Sequence, residues 1–123
     1  MAKTVLIIDD DKVLQRAYQE KLSLEGISSI FASDGKMGVT QAQSLKPDLI
    51  LLDIMLPGGI NGFDVLEELK RDQHTNHIPV IVLTNLDDEQ RIAKDIGATD
   101  YLVKADTKLE DIIKQIKEML EII

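Results

Sequence analysis

The chain has 123 residues, enough for one domain that buries roughly two-thirds of its unfolded surface around a single core. Its composition, 44% hydrophobic, 29% charged and 3% aromatic, describes a folded protein with an aliphatic core and argues against long disorder. A net charge of -8 disfavours direct binding to nucleic acid, the lack of cysteine excludes disulfide and thiolate chemistry, and no apolar stretch approaches the ~20 residues of a bilayer span.

Along the chain, short runs rich in β formers alternate with longer stretches of helical spacing. Residues 4–9 predict a first strand, and Val13, Leu14, Ala17, Tyr18 and Leu22 then recur as a helical stripe that Gly26 should end. Residues 27–31 and 48–53 predict the next two strands. After the second of these comes a glycine-rich loop, Gly58-Gly59-Ile60-Asn61-Gly62, and then a helix with Val65, Leu66 and Leu69 inward and Glu67, Glu68, Lys70 and Arg71 on a solvated face. His74 and His77 follow in a polar stretch with no further ligand nearby, so they read as solvent-facing loop rather than a metal site. Residues 78–84 and 99–103 predict two more strands. Asp87-Asp88-Glu89-Gln90 and Thr107-Lys108-Leu109-Glu110 read as capping boxes opening two helices; Gly97 ends the first, and the second carries Leu109, Ile112, Ile113, Ile116, Leu120 and Ile123 on one face.

The first, third and fourth strands are too continuously apolar to be half exposed, so they belong inside a parallel sheet covered on both faces. Five βα units with short connections predict an α/β fold: a doubly wound (βα)5 parallel five-stranded sheet with helices on both faces, forming a single domain over residues 1–123. Four of these runs end on polar residues suited to phosphoryl chemistry, namely Asp9 and Asp10, Asp53, Thr84 and Lys104. In an open parallel sheet the carboxyl ends of the strands share one edge, so these residues can meet.

Neighbouring first and third strands would bring Asp9, Asp10 and Asp53 within a few ångströms, and such a cluster either raises its pKa values or holds a cation. An all-oxygen site open to water suits Mg²⁺. A carboxylate beside that ion can attack phosphorus and form an aspartyl phosphate; Lys104 would balance charge on the transferred group and Thr84 would donate to one of its oxygens. Asp9 or Asp10 alone would read as a helix cap, and Thr84 or Lys104 alone as a strand end. Their coincidence with Asp53 carries the functional reading.

The stretches Leu6-Ile7-Ile8-Asp9-Asp10-Asp11, Leu51-Leu52-Asp53-Ile54-Met55-Leu56-Pro57, Val82-Leu83-Thr84 and Tyr101-Leu102-Val103-Lys104 resemble, in order and spacing, the receiver domain of two-component response regulators, the family of the bacterial chemotaxis response regulator. The resemblance covers nearly the whole chain and implies the flavodoxin-like strand order 2-1-3-4-5. It implies that Asp53 is the phosphoacceptor, that Asp10 ligates Mg²⁺ with Asp9 assisting, and that the Met55 backbone carbonyl completes the protein ligands. It also implies that Lys104 contacts the phosphoryl group and that Thr84 and Tyr101 form a conformational relay. The expected partners are a histidine kinase or histidine phosphotransfer protein and a downstream protein target met on a surface around Ile92, Lys94, Tyr101 and Lys108. No nucleic acid or membrane contact, a cytoplasmic location, a monomer or weak dimer, and no effector domain after Ile123 complete the expectation, unless the chain is a piece of a longer protein.

Three positions depart from the family pattern. Ala105 follows Lys104 where proline is usual, so the peptide between them is expected to be trans. The loop over residues 58–62 is one residue longer than usual, which its glycines can absorb, and Asn85 replaces a small residue after Thr84. The altered lysine loop keeps open an alternative, a receiver-like module that binds partners without phosphorylation. A Mg²⁺ phosphohydrolase is disfavoured because Met55 stands where such enzymes carry a second Asp, and a flavodoxin-like electron carrier because Asp9-Asp10-Asp11 would repel FMN phosphate.

Overall fold

Branched aliphatic residues dominate β1 (Thr4–Ile8), β3 (Leu49–Leu52) and β4 (Val80–Thr84), and strands of that composition are stable only where both faces are covered. The more polar β2 (Ser28–Ala32) and β5 (Asp100–Val103) leave several side chains partly exposed. In the computed structural model, which describes residues 2–121, all five pair in parallel in the order β2-β1-β3-β4-β5, so the two polar strands are the edges. This is the expected doubly wound sheet, with each strand within two residues of its expected bounds.

Alternation along the strands divides the interior. Val5, Ile7, Leu49, Leu51, Ile81 and Leu83 face α1 (Lys12–Leu24) and α5 (Leu109–Met119), while Leu6, Ile8, Ile50, Leu52, Val80 and Val82 face α2 (Gly35–Leu45), α3 (Gly62–Arg71) and α4 (Gln90–Ile96). Every helix therefore has an aliphatic sheet face to dock on. The α2 stripe is hard to see in the sequence because its buried positions are Gly35, Gly38, Val39 and Ala42, small residues that bring the helix close to the sheet.

Several local expectations need correction. Val13 is 78% exposed, because the inner face of α1 runs through Gln15, Tyr18 and Leu22 instead. Neither expected capping box forms: α4 starts after Glu89 and α5 after Lys108, and neither cap residue makes a side-chain bond. Thr107 instead donates its hydroxyl to the Val103 carbonyl at 2.9 Å, across a one-turn 3-10 helix over Lys104–Asp106. Packing holds α5 without that cap. Burying Ile112, Ile113 and Ile116 is worth at most about 9 kcal/mol, against about 1 kcal/mol for a cap. Ile123 lies outside the described residues.

The peptide between Lys104 and Ala105 is trans, as expected. Gly58 and Gly59 take φ of 92° and 93°, backbone conformations that side-chain-bearing residues rarely adopt. In register, Ile8 pairs with Leu52 and Thr84 with Val103. Asp9, Asp53 and Lys104 are thereby each delivered one residue beyond a paired strand end on the same edge.

Candidate functional site

Three consecutive acidic residues end β1, and the structure gives them different tasks. Asp11 is the cap of α1, its carboxylate accepting from Val13 N at 3.0 Å and Leu14 N at 3.2 Å. That frees its two neighbours. Asp9 is buried and turns inward, with Oδ1 accepting from Asp11 N at 3.0 Å, while Asp10 remains exposed. Asp53 is buried at the end of β3, where its N–H donates to the Ile8 carbonyl at 3.0 Å and its Oδ1 accepts from Met55 N at 3.1 Å.

Lys104 closes the group. Its Nζ donates to Asp9 Oδ2 at 2.7 Å and to Asp53 Oδ2 at 2.8 Å, with all three side chains largely shielded from water. Burial opposes charge on the Lys104 ammonium, but hydrogen bonds and attraction from Asp53 and Asp9 outweigh it and push its pKa up to about 12. Asp9 moves the other way for an acid: burial raises its carboxyl above the ordinary range, and Lys104 only partly offsets that. Tyr18 lies against the floor of the group beside Asp9 and Asp53, and burial pushes its phenol up to about 12.

Asp9, Asp10 and Asp53 each offer an oxygen, and these oxygens lie within 4.8 Å of one another. With Lys104 the four side chains carry a net -2, and the exposed Asp10 leaves one side open to water. A hard divalent cation fits such a donor set, since it binds oxygen, keeps several waters and neutralises the residual charge.

Thr84 is fully buried at the end of β4, and Tyr101 is 7% exposed on β5. Both meet Leu86: Thr84 Oγ1 accepts from its N–H at 3.4 Å, and the Tyr101 hydroxyl donates to its carbonyl at 2.5 Å. The two relay candidates are thus joined through one residue, Leu86, whose N–H and carbonyl belong to successive peptide units. Asn85, between Thr84 and Leu86, points to solvent and makes no hydrogen bond among the described residues.

Asp9, Asp10, Asp53 and Lys104 converge as expected, whereas the Thr84 hydroxyl is engaged with Leu86, and Met55 stands beside Asp53, 59% exposed. The family model of the response regulator receiver domain matches residues 5–117. The chain belongs to the response regulator receiver family. It is 39% identical to the DNA-binding dual master transcriptional regulator RpaA of Synechocystis, over 94% of this chain and 48% of that protein, and 36% identical to protein PilH of Pseudomonas aeruginosa, over 94% and 96%. The receiver spans about half or less of the length of several curated relatives it matches, including RpaA. Among solved structures it is similar to a putative response regulator from Chloroflexus aurantiacus, with a TM-score of 0.87, 28% identity and coverage of 98% of this chain and 99% of that one. It is also similar to the phosphorylated cyanobacterial phytochrome response regulator RcpA, with a TM-score of 0.82, 31% identity and coverage of 96% and 93%. Receiver domains serve two-component signalling and are not conventional enzymes. Among the described residues, no helix is long and apolar enough to cross a membrane.

Sequence reading left Gly62 in the glycine-rich loop and passed over Gln15, and both shape this site. Gly62, the first residue of α3, is packed against the backbone of Asp53 and Ile54 and donates its N–H to the Ile54 carbonyl at 2.8 Å. Gln15 is buried under the acidic loop, and the available signal was its place three and seven residues before Tyr18 and Leu22, on a stripe where a polar residue needs a reason.

Proposed function

We propose that this receiver accepts a phosphoryl group on Asp53 from a histidine kinase or histidine phosphotransfer protein, with Mg²⁺ at Asp9, Asp10, Asp53 and the Met55 carbonyl. The observation that carries the reading is Lys104 bridging Asp9 and Asp53 beside the third carboxylate, Asp10. A lysine held between two carboxylates can follow charge as it shifts from Asp53 to a group attached there. The phosphorylated state of the similar RcpA supports the same reading.

In the proposed step an Asp53 oxygen forms a bond to phosphorus as the bond from phosphorus to the donor histidine nitrogen breaks, leaving the histidine neutral after it regains its proton balance with solvent. Bound Mg²⁺ would offset the negative charge gathered by the carboxylates and phosphoryl oxygens. Lys104 releases Asp53 Oδ2 and donates to a phosphoryl oxygen while keeping Asp9. Thr84 turns its hydroxyl toward the new anion, weakening its long contact with Leu86, and Tyr101 follows through the same residue. The partner would read that change around Ile92, Lys94 and Lys108, beside Tyr101. The proposed setting is the cytoplasm, with a monomer or weak dimer and a downstream protein target.

Incubation with Mg²⁺ and a small acyl phosphate, followed by intact mass, tests the reading. One phosphoryl group should appear on the wild type and none on Asp53→Asn. Labelling that persists in Asp53→Asn, or a wild type that stays unlabelled under conditions where its fold is intact, would refute it, the second result favouring a module that binds without phosphorylation.

A further inference from the structure

An amide beneath the acidic loop governs how the loop is held. Gln15, only 7% exposed on the inner face of α1, donates from Nε2 to the Asp9 carbonyl oxygen at 2.5 Å. The same nitrogen lies 3.5 Å from Ser33 Oγ in the β2-to-α2 connection, and Ser33 Oγ also accepts from Lys12 Nζ at 2.6 Å. One side chain therefore ties together the end of β1, the first turns of α1 and the loop after β2.

The carbonyl that Gln15 engages belongs to the peptide linking Asp9 to Asp10. A peptide unit is rigid and planar, so fixing its oxygen fixes the plane from which the Asp10 side chain departs. The other side of Asp9 is fixed as well, since its N–H donates to the Ala32 carbonyl at 3.0 Å. Asp9 thus has its backbone held at both ends by groups outside its own strand. Asp10 has no such hold on its carboxylate among the described residues, and it is exposed, so the peptide plane is the chief means by which the fold aims it.

We propose that Gln15 is a positioning residue that sets the divalent-cation affinity of the Asp9, Asp10 and Asp53 cluster by orienting the peptide between Asp9 and Asp10. This rests on the reading of the cluster as a cation site. Groups that orient metal ligands typically govern affinity by about 10- to 100-fold although they never touch the ion. Removing the Gln15 donor leaves a shielded carbonyl unpaired and frees the plane to rotate toward another partner.

Calorimetric titration with Mg²⁺ alone, on the full chain, separates this role from simple structural support. Gln15→Met keeps length and volume but removes the donor; Gln15→Asn keeps an amide but withdraws it by one methylene, and serves if the methionine variant does not fold. Thr75→Val is the control, because Thr75 is also a buried polar residue, fully so, and donates to the Leu69 carbonyl at 2.7 Å in the turn after α3, away from the cluster. Either Gln15 variant should raise the Mg²⁺ dissociation constant at least about tenfold, while Thr75→Val lowers the melting temperature in EDTA yet leaves the constant within about twofold. Gln15 variants that fold and bind Mg²⁺ as the wild type does, or a control that loses affinity equally, would overturn the positioning role while leaving the cation reading intact. A wild type that fails to bind Mg²⁺ at millimolar concentration would overturn both.

Discussion

Replacing Gly62 with alanine should disturb Asp53, the proposed phosphoacceptor, more than the helix that Gly62 begins. An added Cβ would lie 2.3 Å from the Asp53 carbonyl oxygen, 2.5 Å from Ile54 Cα and 2.9 Å from the Asp53 carbonyl carbon. All three are backbone atoms and cannot rotate aside. A carbon needs about 3.3 Å from a carbonyl oxygen, so the start of α3 and the end of β3 must separate by about 1 Å. Overpacking costs about 1 to 3 kcal/mol, and a rigid neighbour puts this case near about 3 kcal/mol, or roughly 10 °C in melting temperature for a domain of this size. The same shift is large against the 2.8 Å contact from Asp53 to Lys104 and the 3.1 Å contact to Met55 N. Misplacing a reacting group by about 1 Å can cost roughly 100-fold in rate, so labelling by a small acyl phosphate should slow by about that factor. Gly38→Ala is the comparison, because there the crowding atoms belong to the flexible Ile8 side chain, at 2.6 to 3.0 Å. It should lose stability but label nearly normally. A Gly62→Ala protein that melts within about 2 °C of wild type and labels at the same rate would refute the argument.

Asp9 and Lys104 make opposite predictions for the metal-free protein. Folding raises the Asp9 pKa, so its ionised form is disfavoured in the fold at neutral pH; Asp9→Asn should raise the melting temperature in EDTA while abolishing any gain on adding Mg²⁺, and a lower melting temperature in EDTA would contradict this. Folding raises Lys104 from 10.5 to about 12, so its contribution is complete below about pH 10 and is lost as pH rises through about 12; the gap of about 1.5 units corresponds to about 2 kcal/mol. Urea unfolding across that window should show the wild type losing about 2 kcal/mol more than Lys104→Met, whereas parallel pH profiles would count against the pairing. Neither the exposed Met55 nor the half-buried Leu86 offers a polar side chain to orient attacking water, so the phosphorylated protein should decay slowly and Met55→Asn should hasten it, as mass spectrometry over time would show. Tyr101→Phe should cost about 1 kcal/mol through its lost bond to Leu86, measured by denaturation, and no change would mean that the bond is not made in solution.

The strands and their buried character were legible because a parallel sheet covered on both faces demands continuous aliphatic runs, and Val5 to Ile8, Leu49 to Leu52 and Val80 to Leu83 have no other use. The convergence of Asp9, Asp53 and Lys104 followed once those runs were aligned in parallel, since strand ends then share an edge. Phase within a helix was harder. Val13 and Gln15 differ by half a turn, and hydrophobicity alone favoured the valine, whereas the amide had a buried carbonyl to meet at Asp9. The caps failed because the helices start later than the boxes require, α4 after Glu89 and α5 after Lys108, and the Thr107 hydroxyl donates to the Val103 carbonyl instead. Close approaches such as that of Gly62 to Asp53 depend on how two elements meet, and a local pattern of residues does not record that distance.

Thr84 and Tyr101 both reach Leu86 through its main chain, one at the N–H and the other at the carbonyl. Wiring of this kind is indifferent to which side chain occupies the position. If that pair carries the proposed switch, exchanging the half-buried Leu86 for another apolar residue that still packs on the core would leave the connection in place.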